Sequence, residues 1–310
     1  HGQTSAAKPG IYPIHVHISP FAYALNENSL VYQYVDLWSS KTTWGGDLNN
    51  MPIAGDLVYI KKGQTVVLDI SPPKLDVLII EGTLEFDRKD LRLDAHYILV
   101  KDGHLIVGTE DRPFLQKAII TLHGKPVDTE LPMYGAKVLA CRRCVLDLHG
   151  IPTEVTWTRL EETVRANSTM LKLQQAVDWN IGSYIIITST DLVKEHVEEV
   201  IVVGLDSSRK IISIDRPLQW DHLGETRYYG NNKAIEMRAE VGLLSRNVVV
   251  QGDVNSFQHE FGATIMMFSP GDESLIGRLE NIEVRNAGQA GRLGRYPIHF
   301  HMIGSVKKSY

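Results

Sequence analysis

Cysteine is nearly absent: Cys141 and Cys144 are the only two in 310 residues. A disulfide-dense miniature fold is thereby excluded. A zinc finger is excluded too, because two further ligands at matched spacing are missing. Long apolar runs are also missing. No stretch approaches the roughly 18 residues that a membrane-spanning helix needs, so a membrane is met only through an anchor outside this chain. Positive charge is not in excess. The 32 Lys and Arg against 37 Asp and Glu leave a net charge of −5, which removes the bulk attraction that nucleic acid binding depends on. Helical periodicity is scarce, and no Gly-x-Ser-x-Gly elbow, phosphate loop or dinucleotide fingerprint occurs. The chain begins at His1 without a signal-peptide pattern and stops at Tyr310 just after a strand-like motif. The expectation is a processed or excised piece of a longer parent.

What is present is short-strand patterning. Hydrophobic residues make up 43% of the chain, enough for a real core. They alternate with period two, or run for four to six residues between Gly, Pro, Asn and Asp, as in LVYI (57–60), TVVLDI (65–70), YILV (97–100) and RNVVVQG (246–252). A repeat runs through IIEGTLEF (79–86), LVKDGHLIV (99–107) and VLACRRCVLDLHG (138–150). Gly82 to Gly103 and Leu84 to Leu105 are both steps of 21 residues, and Leu146 lies 41 further on, close to two more periods, with QKAIITLHG (116–124) as an extra strand between. A period near 20 predicts a solenoid whose coils supply one another's ladder partners. Its turn glycines are expected at positive φ. A β-sandwich with coincidental spacing is the alternative.

Residues 156–235 break this pattern. There VEEVIVVGL, a DSSRK turn and IISIDRPL predict a hairpin. The chain therefore reads as all-β: a right-handed parallel β-helix (solenoid) with a small inserted antiparallel β unit. Its expected divisions are an N-terminal segment 1–30 of unassigned role, β-helix coils over 31–155, the insertion over 156–235, and further coils over 236–310.

Several side chains could carry chemistry. Cys141 and Cys144 sit in a strand–turn–strand, which favours a local disulfide or two inert thiols over metal or redox use. Asn167-Ser168-Thr169 is a glycosylation sequon. On a strand His299 and His301 face the same way, so they could share a divalent metal ion; His259, Glu260 and Asp253 are conceivable further donors, and two stacked structural histidines are the alternative. His15 and His17 in IYPIHVHIS repeat that geometry more weakly. Arg292 and Arg295 could hold the carboxylate of an anionic sugar in a bidentate way, or sit in a solvated turn. Asp69, Asp87, Asp94 and Asp147 recur at strand ends, but nothing in the sequence pairs any two into the dyad that glycoside hydrolysis requires. Trp44, Trp157, Trp179 and Trp220 suit either sugar stacking or a core.

The stretch from WSSKTTWGGD through IIEGTLEF (38–86), with Gly45, Gly46, Gly55, Gly63, Gly82, Gly103, Gly108 and Gly124, resembles the eight-glycine extracellular domain. That domain is shared by the fibrocystin family and by two cell-surface or secreted hyaluronidases. MRAEVGLLSRNVVVQGD (237–253) and GRLENIEVRNAGQAGRLGRYPIHFHMIGSVKKSY (277–310) extend the resemblance, which is nearer to the fibrocystin-like branch. One departure stands out: only seven residues separate QGD (251–253) from FGAT (261–264), where those relatives carry a longer, cysteine-bearing insertion. The resemblance implies a parallel β-helix in an extracellular, cell-surface or ciliary protein that receives a glycan or protein ligand, serves adhesion or coat formation, or acts as a structural spacer, without enzymatic activity. Its alternative is a hyaluronan-degrading enzyme using the HFH strand.

Overall fold

The computed structural model describes residues 11–13, 31–33, 35–230 and 233–310. Most of segment 1–30, including His15 and His17, lies outside them. Ile11–Pro13 pairs antiparallel with Val31–Gln33. The chain divides into two compact units, one running to Ile151 and resuming at Asn247–Tyr310, the other Pro152–Arg246.

The first unit is a parallel β-helix with three columns of strands. One column stacks Asp36–Leu37, Thr65–Leu68, Thr83–Phe86, His104–Val107, Val145–His149 and Ile276–Glu280. A second stacks Leu57–Ile60, Leu75–Ile80, the latter half of Leu91–Lys101, Val138–Arg142, Thr264–Phe268 and Ile298–His301. The third stacks the first half of Leu91–Lys101, then Ala118–Leu122, Val248–Gly252 and Ile282–Arg285. Period-two alternation turns every second residue inward, so register places like on like. Ile60, Ile80, Val100, Cys141 and Met267 form one continuous inward ladder and are all fully buried. Each Ile, Val and Met side chain among them contributes about 1.5–3 kcal/mol on leaving water.

The 21-residue step is a true coil: Leu84 pairs in register with Leu105. The 41-residue step is not two periods. Leu105 pairs directly with Leu146, so one coil has lengthened, and Ala118–Leu122 is an integral strand of the third column. The expectation for the turn glycines also needs correction. Gly45, Gly46, Gly55, Gly63, Gly108 and Gly124 adopt positive φ, but Gly82 and Gly103 do not. They are glycine because backbone comes too close. A Cβ on Gly103 would lie 2.5 Å from the Ile80 carbonyl oxygen and 2.6 Å from that of Gly82. Cys141 and Cys144 are disulfide-bonded across the corner between the second and first columns and face the core.

The second unit is antiparallel. Its strand order is Trp157–Arg159, Glu240–Leu243, Tyr184–Ile187, Glu198–Leu205, Ile211–Ile214 and Met170–Lys172. The hairpin expected over 197–218 is present, with a bulge between Val202 and Gly204. Glu240–Leu243 pairs inside this unit, and Ala239 and Val241 belong to its core, so the unit runs past the expected boundary at 235. The physical reason is that a short alternating strand completes an antiparallel sheet as readily as a coil. Among the described residues the helical elements are short 3₁₀ turns, Lys41–Trp44, Leu48–Asn50 and Lys194–His196. None is long and apolar enough to cross a membrane.

Candidate ligand-binding site

In the coil of Leu91–Lys101 the chain passes from the third column to the second without leaving the strand. In the next three coils the same corner opens into loops at 123–137, 253–263 and 286–297. Backbone groups leave the ladder there, so side chains must hold the loops in place.

Lys137 holds the first loop to the second. Its side chain is 0% exposed, and Nζ lies 2.9 Å from Asp253 Oδ1. It donates to Ser256 Oγ at 2.8 Å and to the Phe261 carbonyl at 3.0 Å. Asp253 also accepts from Gly124 N and Asn255 N. Burial pushes the Lys137 ammonium below its ordinary value, against the pull of Asp253. Burial works to raise Asp253, but the Lys137 hydrogen bond and charge outweigh it and hold the carboxyl below its ordinary value.

Glu130 holds the third loop to the first. It accepts from Arg292 Nη1 and from Arg295 Nη2, each at 2.9 Å. Arg292 also donates to the Pro126 carbonyl and lies 4.9 Å over the Phe261 ring; Arg295 donates to the Met133 carbonyl. Buried Gln289 donates to the carbonyls of Ala136 and Gly262, threading all three loops. The two arginines that the sequence offers to an anionic sugar therefore already hold a carboxylate of their own chain.

Between the second and third loops lies an open cavity of about 730 Å³. Gly262, Ala287, Gly288 and Pro297 line it with little side-chain bulk, and Phe257, Gln258, His259, Glu260, Asn286 and Tyr296 line it with functional groups. Phe257 is 91% and Tyr296 49% exposed. The side-chain polar groups of Gln258, His259, Glu260, Asn286 and Tyr296 make no hydrogen bond with another described residue. The charged groups of the frame are paired with one another, buried Gln289 keeps its Oε1 without a hydrogen-bond partner among the described residues, and the polar side chains of the lining can meet a ligand.

His299 and His301 share the outer face of the second column, with ring centroids 5.1 Å apart. His299 Nδ1 sits 2.9 Å from the Gly294 carbonyl, and its ring meets Tyr296 edge-on. His301 lies against Phe268. His259 stands on the cavity wall, and Asp253 is held by Lys137. No three His, Cys, Asp or Glu among the described residues are grouped as donors for one metal ion. Asn167 is exposed in a turn at φ 71°. Trp179 is core, Trp44 packs edge-on against Trp38, Trp157 carries Arg159 on its face, and Trp220 stacks on His196 at 3.6 Å. Asp69 caps Ser39, Asp87 pairs with Lys89, Asp94 with His123 and Asp147 with Arg278. Glu130, Lys137, Phe257 and Tyr296 are the residues that motif reading misses. Lys137 left one signal, a lone cation directly before the apolar run VLAC.

The first coils and the corner match known families. Residues 43–161 match the G8 domain, and residues 260–310 match the CEMIP beta-helix. Human Fibrocystin-L is 41% identical over 97% of this chain, and Fibrocystin-L of Mus musculus 38% over 97%. Fibrocystin of Canis lupus familiaris is 29% identical over 90%. The chain spans about 8% of the length of each of these relatives. A solved tailspike, Gp54 of Acinetobacter baumannii bacteriophage AP22 in complex with capsular saccharide, aligns over 80% of this chain and 32% of its own at 10% identity and a TM-score of 0.27, too distant to carry an argument. Fold and matches define a G8-bearing parallel β-helix segment. The chain belongs to the fibrocystin-like family.

Proposed function

We propose that this chain is a ligand-receiving, non-enzymatic segment of an extracellular fibrocystin-like protein, displayed at a cell or ciliary surface, with the corner-loop cavity as its receiving surface. The observation that carries the reading is the contrast between frame and lining. Ion pairs fix the loops in advance, while the side-chain polar groups of Gln258, His259, Glu260, Asn286 and Tyr296 in the cavity make no hydrogen bond with another described residue. A site built this way loses little entropy when a ligand arrives. Hydrolysis of a glycosidic bond needs two available carboxyl groups. Here Glu130 is held by two guanidinium groups and Asp253 by Lys137, which leaves Glu260. A glycan or a protein is the expected ligand.

The test is binding of the chain to immobilised glycan and ectodomain arrays, beside a Phe257→Ala/Tyr296→Ala double variant with an unchanged circular dichroism spectrum. Discrete ligands that the double variant loses are the expected result. No ligand on either array, or ligands that the variant keeps, would overturn the reading.

The alternative is cleavage of hyaluronan. One observation favours it: His299 is oriented through Nδ1 by a backbone carbonyl, a device that leaves Nε2 for acid–base work. It requires turnover that His299→Ala abolishes.

A further inference from the structure

Resting on the ligand-receiving reading above, we propose that the cavity selects uncharged glycans and disfavours acidic ones. Among the described residues the one permanent cation that lines the cavity is Arg295, and its guanidinium already donates to Glu130 Oε2 at 2.9 Å and to the Met133 carbonyl at 3.1 Å. Arg292, the next cation, shares the same Glu130 and the Pro126 carbonyl. Both head groups are charge-compensated by Glu130, so a second carboxylate meets no unpaired cation there. Among the described residues the unpaired carboxylate on the lining is Glu260. A uronic acid or sulfate brought into the cavity would meet that carboxylate and find no free counter-charge.

The remaining groups suit hydroxyls. Glu260 offers two acceptor oxygens, the Gln258 and Asn286 amides offer both donors and acceptors, and the Tyr296 phenol offers one of each. Adjacent hydroxyls of a pyranose present donors and acceptors in alternation, which amides and carboxylates bind in pairs. Phe257 and Tyr296 give apolar faces for the C–H side of a sugar ring. Small residues around them leave room for the ring itself.

The test is calorimetric titration of the whole chain with four probes at low and high salt. Three are uncharged (chitotetraose, cellotetraose, mannotetraose) and one is acidic, a hyaluronan octasaccharide. At least one uncharged probe is expected to bind saturably, with an affinity that salt leaves unchanged. Tyr296→Ala is expected to weaken it by roughly tenfold, and the octasaccharide should bind at least tenfold more weakly. If the octasaccharide binds more tightly and Tyr296→Ala weakens it, charge selection falls while ligand reception stands. If no oligosaccharide binds but a protein ligand is lost in the Phe257→Ala/Tyr296→Ala variant, the glycan class falls and reception again stands. Uncharged-glycan binding that survives both substitutions, with the fold intact, overturns the cavity as the receiving surface.

Discussion

Lys137 and Asp253 form an ion pair across 2.9 Å between successive coils, with the lysine side chain wholly out of water. Buried charge of this kind tolerates no loss of its partner. Lys137→Met leaves the Asp253 carboxylate facing a dry wall and is expected to cost about 3–5 kcal/mol. Lys137→Met combined with Asp253→Asn removes the stranded charge and should recover part of that loss. Urea denaturation of the two single variants and the double variant measures the coupling. Strict additivity of the two singles would show that the pair does not tie the loops together.

Gly103→Ala places a methyl group against two backbone carbonyls of the preceding coil, those of Ile80 and Gly82. Backbone within a ladder cannot step aside as a side chain can, so the expected loss is about 3 kcal/mol or more. A change within about 0.5 kcal/mol in the same denaturation assay would mean that the coils are spaced more loosely than described.

The β-helix was legible in the sequence because alternation and a constant coil length survive as plain spacing. Leu84 and Leu105 stand 21 residues apart and meet in the ladder. The candidate site was not legible for the converse reason. Where a coil grows a corner loop, register is kept in space and lost in sequence, so Leu105 to Leu146 imitates two periods. Arg292 and Arg295 advertise themselves as anion-binding groups, but their partner Glu130 lies more than 160 positions earlier, and no local pattern links them. Phe257 and Tyr296 become neighbours of one cavity only because consecutive coils stack their loops.

Releasing that clamp supplies a sharper check on electrostatics. Glu130→Gln removes the carboxylate that Arg292 and Arg295 share. Binding of a hyaluronan octasaccharide is expected to rise by roughly tenfold at low salt and to vanish at high salt. Equal octasaccharide binding by variant and parent would show that the two guanidinium groups do not face the ligand.

The second unit carries a pH marker. The carboxyl of Asp206 is pulled down from 3.8 to about 2 by the Ser208 hydroxyl and by the Ile211, Ser208 and Lys210 amides, against the opposing effect of desolvation. A carboxyl lowered on folding binds fewer protons in the native state, so its stabilising effect is complete above the unfolded value and fades as pH falls toward about 2. A nuclear magnetic resonance titration of the Asp206 carboxyl carbon should give a midpoint near 2, with the Lys210 and Ile211 amides shifting alongside it. A midpoint at 3.8 would mean that the turn closing the hairpin is not held by this side chain.

The Cys141–Cys144 bond predicts a chemical blank. Both residues are buried and joined, so iodoacetamide in denaturant should label neither cysteine until a reductant is added, as read by intact mass. Labelling of both without reductant would establish free thiols.

The central claim, that the chain receives a ligand and does not cut one, is tested most directly by size analysis of high-molecular-weight hyaluronan incubated with the purified chain. An unchanged size distribution over many hours, with and without a chelator, is the expected result. Progressive fragmentation that disappears in His299→Ala would contradict it and make the HFH strand a catalytic element.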